Sequence, residues 1–438
     1  MKSLCLKKRI MPMSYNISKI EYSNIGELLY SGELDNGLRI MVVPKPGFSS
    51  YYALFATKYG GAMRRFEYEG SVQDTPAGIA HFLEHKMFDM PEGDNALSVL
   101  SENGADPNAF TSSDSTCYYF RCTEHFEDNL RLLLKFVSTP YFTPESVQKE
   151  QGIIGQEILM GEDNPGTVLY YGFLSLLYDH HPIRDKVAGT VESISEISAD
   201  TLYACHSVFY APSNMALCIE GDVDPERIFE IASEMLSAEK KSVPHADFGS
   251  PEGPLPVCTS FEAEMPVSQP IFMFGAKCNP APELKERLTA MLSLKLLAGP
   301  SSPFFTRLYS AGILDRNFDY DCNYSAGTGT VMFSGESESP NAVYEEFIKE
   351  LASVAQSGFD SAYFTRTMRS LIGAQLRGLE DFDNVCVSLA LDFFEGYCSF
   401  DVMKVLESVT KSDCEAWLAS ELSPEKLAMA VIKPLKGD

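Results

Sequence analysis

Two histidines and a glutamate stand close together in the run His81-Phe82-Leu83-Glu84-His85. His81 and His85 are four residues apart, so on a helix both imidazoles leave one face and can reach a single ion. Glu84, beside them, is placed to take a proton from a water that such an ion acidifies. Two imidazoles plus a carboxylate suit zinc, with a fourth position left for water or substrate. The plain alternative is a surface helix that happens to carry histidines. With seven His and 61 Asp plus Glu in 438 residues, chance supplies the HxxEH pattern only about 0.02 times. A third ligand is at hand in "EQGIIGQEI": Glu150 and Glu157 are seven apart, nearly two helical turns, and share a face.

These residues need elements to hold them. Apolar periodicity predicts helices over 77–88, 95–102, 127–137 and 145–160, with strands over 38–43, 51–56, 108–111, 116–121 and 215–220. Thr143 before Pro144 is a helix-start signature. Cys117 and Cys218 fall in strand-like apolar runs and read as small core residues. The stretch 238–256, "AEKKSVPHADFGSPEGPLP", is rich in Pro, Gly and charge without an apolar period, and reads as a linker. Beyond it the second half echoes the first: "LSENGADPNAFTSSDSTCYYF" has a counterpart in "LYSAGILDRNFDYDCNYSAGTGTVMF". Likewise Ile153-Ile154-Gly155-Gln156-Glu157 matches Leu371-Ile372-Gly373-Ala374-Gln375 at an offset of 218, with Gln375 where Glu157 stands. Duplication follows as the expectation. The fold is expected to be α+β: two similar domains over 1–237 and 257–438, each an antiparallel-rich sheet with helices on one face.

Composition sets limits. With 35 Lys plus Arg against 61 Asp plus Glu, the net charge is −26, which repels phosphate backbones, so no nucleic-acid partner is expected. No apolar run is long enough to span a membrane. The basic residues Lys2, Lys7, Lys8 and Arg9 are not followed by a signal-type apolar segment, and eleven scattered cysteines form no CxxC pair. A cytoplasmic protein with reduced thiols is the expectation. His180-His181 reads as a surface pair, and His125 and His206 as residues on helix faces. No G-x-S-x-G elbow offers a serine hydrolase in place of the metal.

HxxEH followed 72 residues later by the second Glu of an E-x6-E helix resembles the pitrilysin and insulinase family of zinc metallopeptidases, the inverzincins. The chain is most similar to its small two-domain members, akin to the β subunit of mitochondrial processing peptidase. "TPAGIAHFLEHKMF" looks like the active-site helix, "NAFTSSDSTCYYF" like the substrate-strand segment, and "HPIRDKVAGTVESI" and "YAPSNMALCIEGDV" also match. The resemblance implies two halves closing like a clamshell around peptides or unfolded segments, with one zinc per chain. It makes His81, His85 and Glu157 the zinc ligands and Glu84 the general base. Glu150 becomes an acid that orients a ligand imidazole. Asn108 and Ala109 fall on an edge strand that pairs with substrate backbone; for Asn108 a turn residue after Pro107 is the plain alternative.

One stretch departs from the family. Where relatives carry an Arg and a Tyr that grip substrate, "SSPFFTRLYSAGILDRNF" places Tyr309 and Asp315, with Arg307, Arg316 and Tyr320 off register. Either the chain grips substrate differently, or a paralogous subunit in a homo- or heterodimer supplies the pair. The rival to an endopeptidase is a non-catalytic scaffold subunit that keeps the fold.

Overall fold

In the computed structural model, which describes residues 13–91, 93–280 and 283–435, the strands Tyr51–Thr57 and Met215–Gly221 are buried at almost every position. Strands read this way only when both faces of their sheet are covered. They lie near the middle of a seven-stranded sheet ordered Tyr15–Tyr22, Glu27–Leu34, Arg39–Pro44, Met215–Gly221, Tyr51–Thr57, Thr116–Cys122 and Ala105–Thr111. Arg39–Pro44 runs parallel to Met215–Gly221, and all other neighbours are antiparallel. The basic stretch 2–9 and Cys5 lie outside the described residues.

The second half repeats this plan. Its five strands are ordered Ser260–Met265, Ala428–Pro434, Ile271–Cys278, Thr328–Glu336 and Asp319–Ser325, again with the first pair parallel and the rest antiparallel. Order and polarity match those of the last five strands of the larger sheet, as duplication requires. Counterpart helices follow: Pro144–Glu162 in the first half and Ser361–Gly378 in the second. The fold is α+β, with two similar halves.

One face of the larger sheet packs against its own helices, among them Ile79–Lys86, Phe126–Ser138 and Ala199–Phe209. The other face is covered from the far half. Val385, Cys386, Leu389 and Ala390 of the helix Phe382–Phe394 pack on Met41, Val43, Tyr52, Leu54, Cys117 and Cys218. The exchange is reciprocal: Leu169, Phe173, Leu174 and Leu177 of the helix Pro165–Leu177 pack on Met332, Ala428, Ala430 and Ile432 of the second sheet. Gly172 allows the close approach, since a Cβ there would meet the Phe261 ring at 2.6 Å. Cys117 and Cys218 are fully buried.

The sequence reading missed the N-terminal hairpin and a small sheet of Arg65–Tyr68, Ser71–Asp74 and His245–Ala246. The outermost strand is mostly exposed and polar, and those of the small sheet have four residues or fewer, so neither presents an apolar period. His245–Ala246 belongs to the stretch read as a linker, and pairs with Glu67 and Phe66. The same stretch is anchored again at Glu252, whose oxygens accept the backbone N–H groups of Asp179, His180 and His181 at 2.8–2.9 Å. Lys277 of the second half lies 3.6 Å away. His181 is buried, its Nδ1 accepting the Ile183 N–H at 3.1 Å, so the expected surface pair is one surface and one interior histidine. His206 is buried in its helix, and His125 caps a helix instead of lying along one.

Burial alone would raise the Glu252 pKa; the three N–H groups and Lys277 outweigh it and hold it at about 2. A carboxyl group depressed in the folded state stabilises above its ordinary pKa, and that stabilisation fades as pH falls through the folded value. The melting temperature of the wild type should therefore fall more steeply between pH 4.5 and 2 than that of Glu252→Gln, which should be less stable at neutral pH; a pH series of thermal melts measures both.

Candidate metal centre

The helix Ile79–Lys86 starts at Gly78, whose φ of +91° is open to glycine at little cost and whose Cβ, if present, would meet Ala188 O at 2.5 Å. Its buried residues, Ile79, Ala80, Phe82, Leu83 and Lys86, anchor it in the core. His81, Glu84 and His85 are left only partly covered on the remaining face. The helix Pro144–Glu162 is fixed at its start by a capping box between Thr143 and Ser146, with Pro144 in the first turn. Val147, Ile154, Gly155 and Ile158 are buried, while Glu157 stays exposed.

These two helices bring the expected ligands together. One ligand atom each of His81, His85 and Glu157 all lie within 4.8 Å of one another. His81 Nε2 is 3.4 Å from Glu157 Oε1, and His85 Nε2 is 3.6 Å from Glu157 Oε2. Both separations are long for charge-assisted hydrogen bonds. They are close to the roughly 3.3 Å between neighbouring ligand atoms when bonds of about 2.0–2.1 Å meet tetrahedrally at zinc. The donor set and its spacing fit that ion.

Glu150 sits behind His85, with Oε1 at 3.1 Å from Nδ1. A carboxylate only accepts, so Nδ1 carries the proton and Nε2 keeps its lone pair facing Glu157. Burial would raise the Glu150 pKa, but the His85 hydrogen bond and the charges of His85, Lys86 and Lys149 bring it below the ordinary value. Glu157 is held low chiefly by its contact with His81, against a smaller effect of burial. For His85, burial works downward, yet the bond to Glu150 and the charges of Glu157, Glu84 and Glu150 leave its pKa raised. His81 Nδ1 is buried with no hydrogen-bond partner among the described residues, so on that side its ring is oriented by packing.

Lys86 was missed by the sequence reading. It is 1% exposed, pairs with Asp89, and lies 3.9 Å from Glu150 Oε2. A lysine inside an otherwise apolar helix face was the available signal. Asn108 and Ala109 lie on Ala105–Thr111, the edge strand of the larger sheet opposite Tyr15–Tyr22, not in a turn. Asn108 Oδ1 accepts the Ala109 N–H at 2.9 Å. Beyond this strand, Ser112–Ser115 line a cavity of about 460 Å³ between the halves, together with Tyr170 and Arg287. Tyr309 is exposed and stacked on Phe305, and Asp315 accepts the Asn317 N–H at 2.9 Å. Arg307 is committed to Glu350 at 3.1 Å and Glu346 at 3.4 Å.

Removing Lys86 would leave Asp89 without its buried partner and take one of the cations from beside Glu150. Lys86→Met should cost about 3 kcal/mol of stability in urea unfolding, near the low end for a broken buried pair because both partners keep some solvent. Unchanged stability would mean that Lys86 does not neutralise them.

Known proteins resemble this chain in sequence and in fold. Residues 68–191 match the family described as Insulinase (Peptidase family M16), and residues 196–371 match the Peptidase M16 inactive domain. A Bacillus subtilis protein named as the uncharacterized zinc protease YmfH is 37% identical over 433 residues, covering 95% of this chain and 99% of its own. An uncharacterized zinc protease of Rickettsia felis is 26% identical over 74% of this chain and 77% of its own. The crystal structure of a putative M16-like peptidase from Alicyclobacillus acidocaldarius superposes with a TM-score of 0.87 at 31% identity, covering 97% of this chain and 100% of that one. Pitrilysin shares the fold at a TM-score of 0.75 and 15% identity, this chain covering 46% of its length. The two halves, the similar relatives and the paired family matches lead to one conclusion: the chain belongs to the insulinase family of peptidases, M16.

Proposed function

We propose that the chain is a zinc-dependent endopeptidase that hydrolyses peptides or unfolded segments held between its halves. The observation that carries this reading is the convergence of His81 Nε2, His85 Nε2 and Glu157, with Glu84 and an open edge strand beside them. His81, His85 and Glu157 would hold one zinc ion, which when bound supplies a Lewis acid for the scissile carbonyl and for water. Glu84 takes the proton of the attacking water and passes it to the leaving nitrogen. Glu150 keeps the His85 proton on Nδ1. The edge strand lays substrate backbone alongside, its Ala109 N–H exchanging the Asn108 side chain for a substrate carbonyl. The surplus of 26 negative charges favours capture of basic peptides. A cytoplasmic site of action agrees with described cysteines that are all free thiols.

Arg307 is tied to two carboxylates, and Tyr309 and Asp315 stand where the family resemblance leads one to expect the gripping pair. We infer that a paralogous subunit, in a heterodimer, supplies an Arg/Tyr grip, and that the isolated chain turns over peptides slowly. The scaffold reading draws support from the match of residues 196–371 to a domain described as inactive.

Metal analysis and a quenched fluorogenic peptide assay test the reading. One zinc per chain is expected, lost in His81→Ala and in Glu157→Gln. Glu84→Gln should keep the metal and lose on the order of 10²–10⁴ in rate. Full hydrolysis by Glu84→Gln rejects the base assignment. A metal-free protein that hydrolyses nothing, alone or with a paralogue, leaves the scaffold.

A further inference from the structure

Glu84 Oε2 accepts a hydrogen bond from Thr111 Oγ1 at 2.5 Å. Thr111 is the last residue of the edge strand Ala105–Thr111, three positions beyond Asn108. Its hydroxyl has one proton and two acceptors in reach, and the Glu84 carboxylate, nearer and charged, takes it. The neighbouring hydroxyl, Thr116 Oγ1 at 3.3 Å, donates its own proton to Tyr59 O at 2.8 Å. Glu84, a carboxylate, can only accept. The donor is also rigid. Thr57, Thr116 and Thr111 are directly paired across three adjacent strands, so their side chains form one row on one face. β-Branching restricts each to few rotamers, and the row is anchored inside by Thr57 Oγ1 donating to Phe209 O at 2.6 Å.

We propose that Thr111 is a positioning residue: its hydroxyl holds the Glu84 carboxylate in the orientation needed for proton transfer, and ties that orientation to the strand on which substrate is laid. The proposal rests on the reading of Glu84 as the base. One oxygen of Glu84 is engaged by Thr111, which leaves the other for the water proton. Because the tether and the substrate-pairing residues share one short strand, displacement of Asn108 and Ala109 moves the base as well. A substrate backbone that orders this strand thereby orders the base.

The experiment compares Thr111→Val and Thr111→Ser with the wild type, as zinc-loaded full-length protein, using a quenched fluorogenic peptide. Valine keeps the shape and removes the donor; serine keeps the donor. Expected for Thr111→Val are unchanged zinc content and KM with kcat lower on the order of 10- to 100-fold, and for Thr111→Ser recovery of most of kcat. Crystal structures supply a readout apart from turnover: the Glu84 carboxylate should keep its place in Thr111→Ser and leave it in Thr111→Val. Wild-type kcat in Thr111→Val, a loss confined to KM, failure of serine to restore kcat, or an unmoved Glu84 in the Thr111→Val crystal each overturns the proposal. Full activity in Glu84→Gln would instead remove the base reading, while the crystal position of Glu84 in Thr111→Val would still decide the tether.

Discussion

Two imidazoles can offer lone pairs to the same point only if each ring is held in place and carries its proton on the far nitrogen. His85 meets this condition through Glu150, and Glu150 can remain charged in a half-buried place because His85 bonds it and Lys86 and Lys149 lie near it. A chain of alternating charge thus runs from the interior of the helix Ile79–Lys86 to the candidate metal centre. His81 has no such support on Nδ1 and depends on the packing of its helix. The geometry of the centre therefore rests on one hydrogen-bonded arm and one packed arm, and both need the helix seated firmly against the helix Pro144–Glu162 and the larger sheet.

That seating is a property of the whole molecule. The larger sheet can be apolar on both faces because the helix Phe382–Phe394 covers the face that its own helices leave bare, and the helix Pro165–Leu177 does the same for the smaller sheet. The two halves are thus interlocked near their centres, and the cavity between them is bounded by residues of both. An edge strand at the boundary keeps one row of backbone groups outside the sheet, among the described residues, next to the candidate metal centre. Soluble proteins usually cover or blunt such an edge; here Pro107 within the strand and the Asn108 side chain on the Ala109 N–H restrain it without closing it.

Much of this was legible in the sequence where local chemistry dominates. The HxxEH spacing, the E-x6-E helix and the Thr143-Pro144 start need only helical periodicity, and the observed helices contain them. The matching order of elements in the two halves was readable because order survives when identity has faded. What the sequence did not disclose depends on contacts between distant residues. Nothing in the period of Phe382–Phe394 or Pro165–Leu177 says that each serves the other half's sheet. The burial of Lys86 was hidden because lysine ordinarily marks a solvated face. Thr111 reads as one strand residue among many until the register places it against Thr116 and under Glu84.

The exchanged helices have a consequence for the order in which the chain can acquire its structure. Until residue 394 has left the ribosome, the face of the larger sheet formed by Met41, Val43, Tyr52, Leu54 and Cys218 has no cover. The first half therefore lacks part of its native cover while the rest is synthesised, unlike an amino-terminal domain with a core wholly its own. It waits with a sticky, strand-rich surface while the carboxyl-terminal half is made. That surface therefore stays open to solvent, and to other chains, until its late-arriving lid is translated.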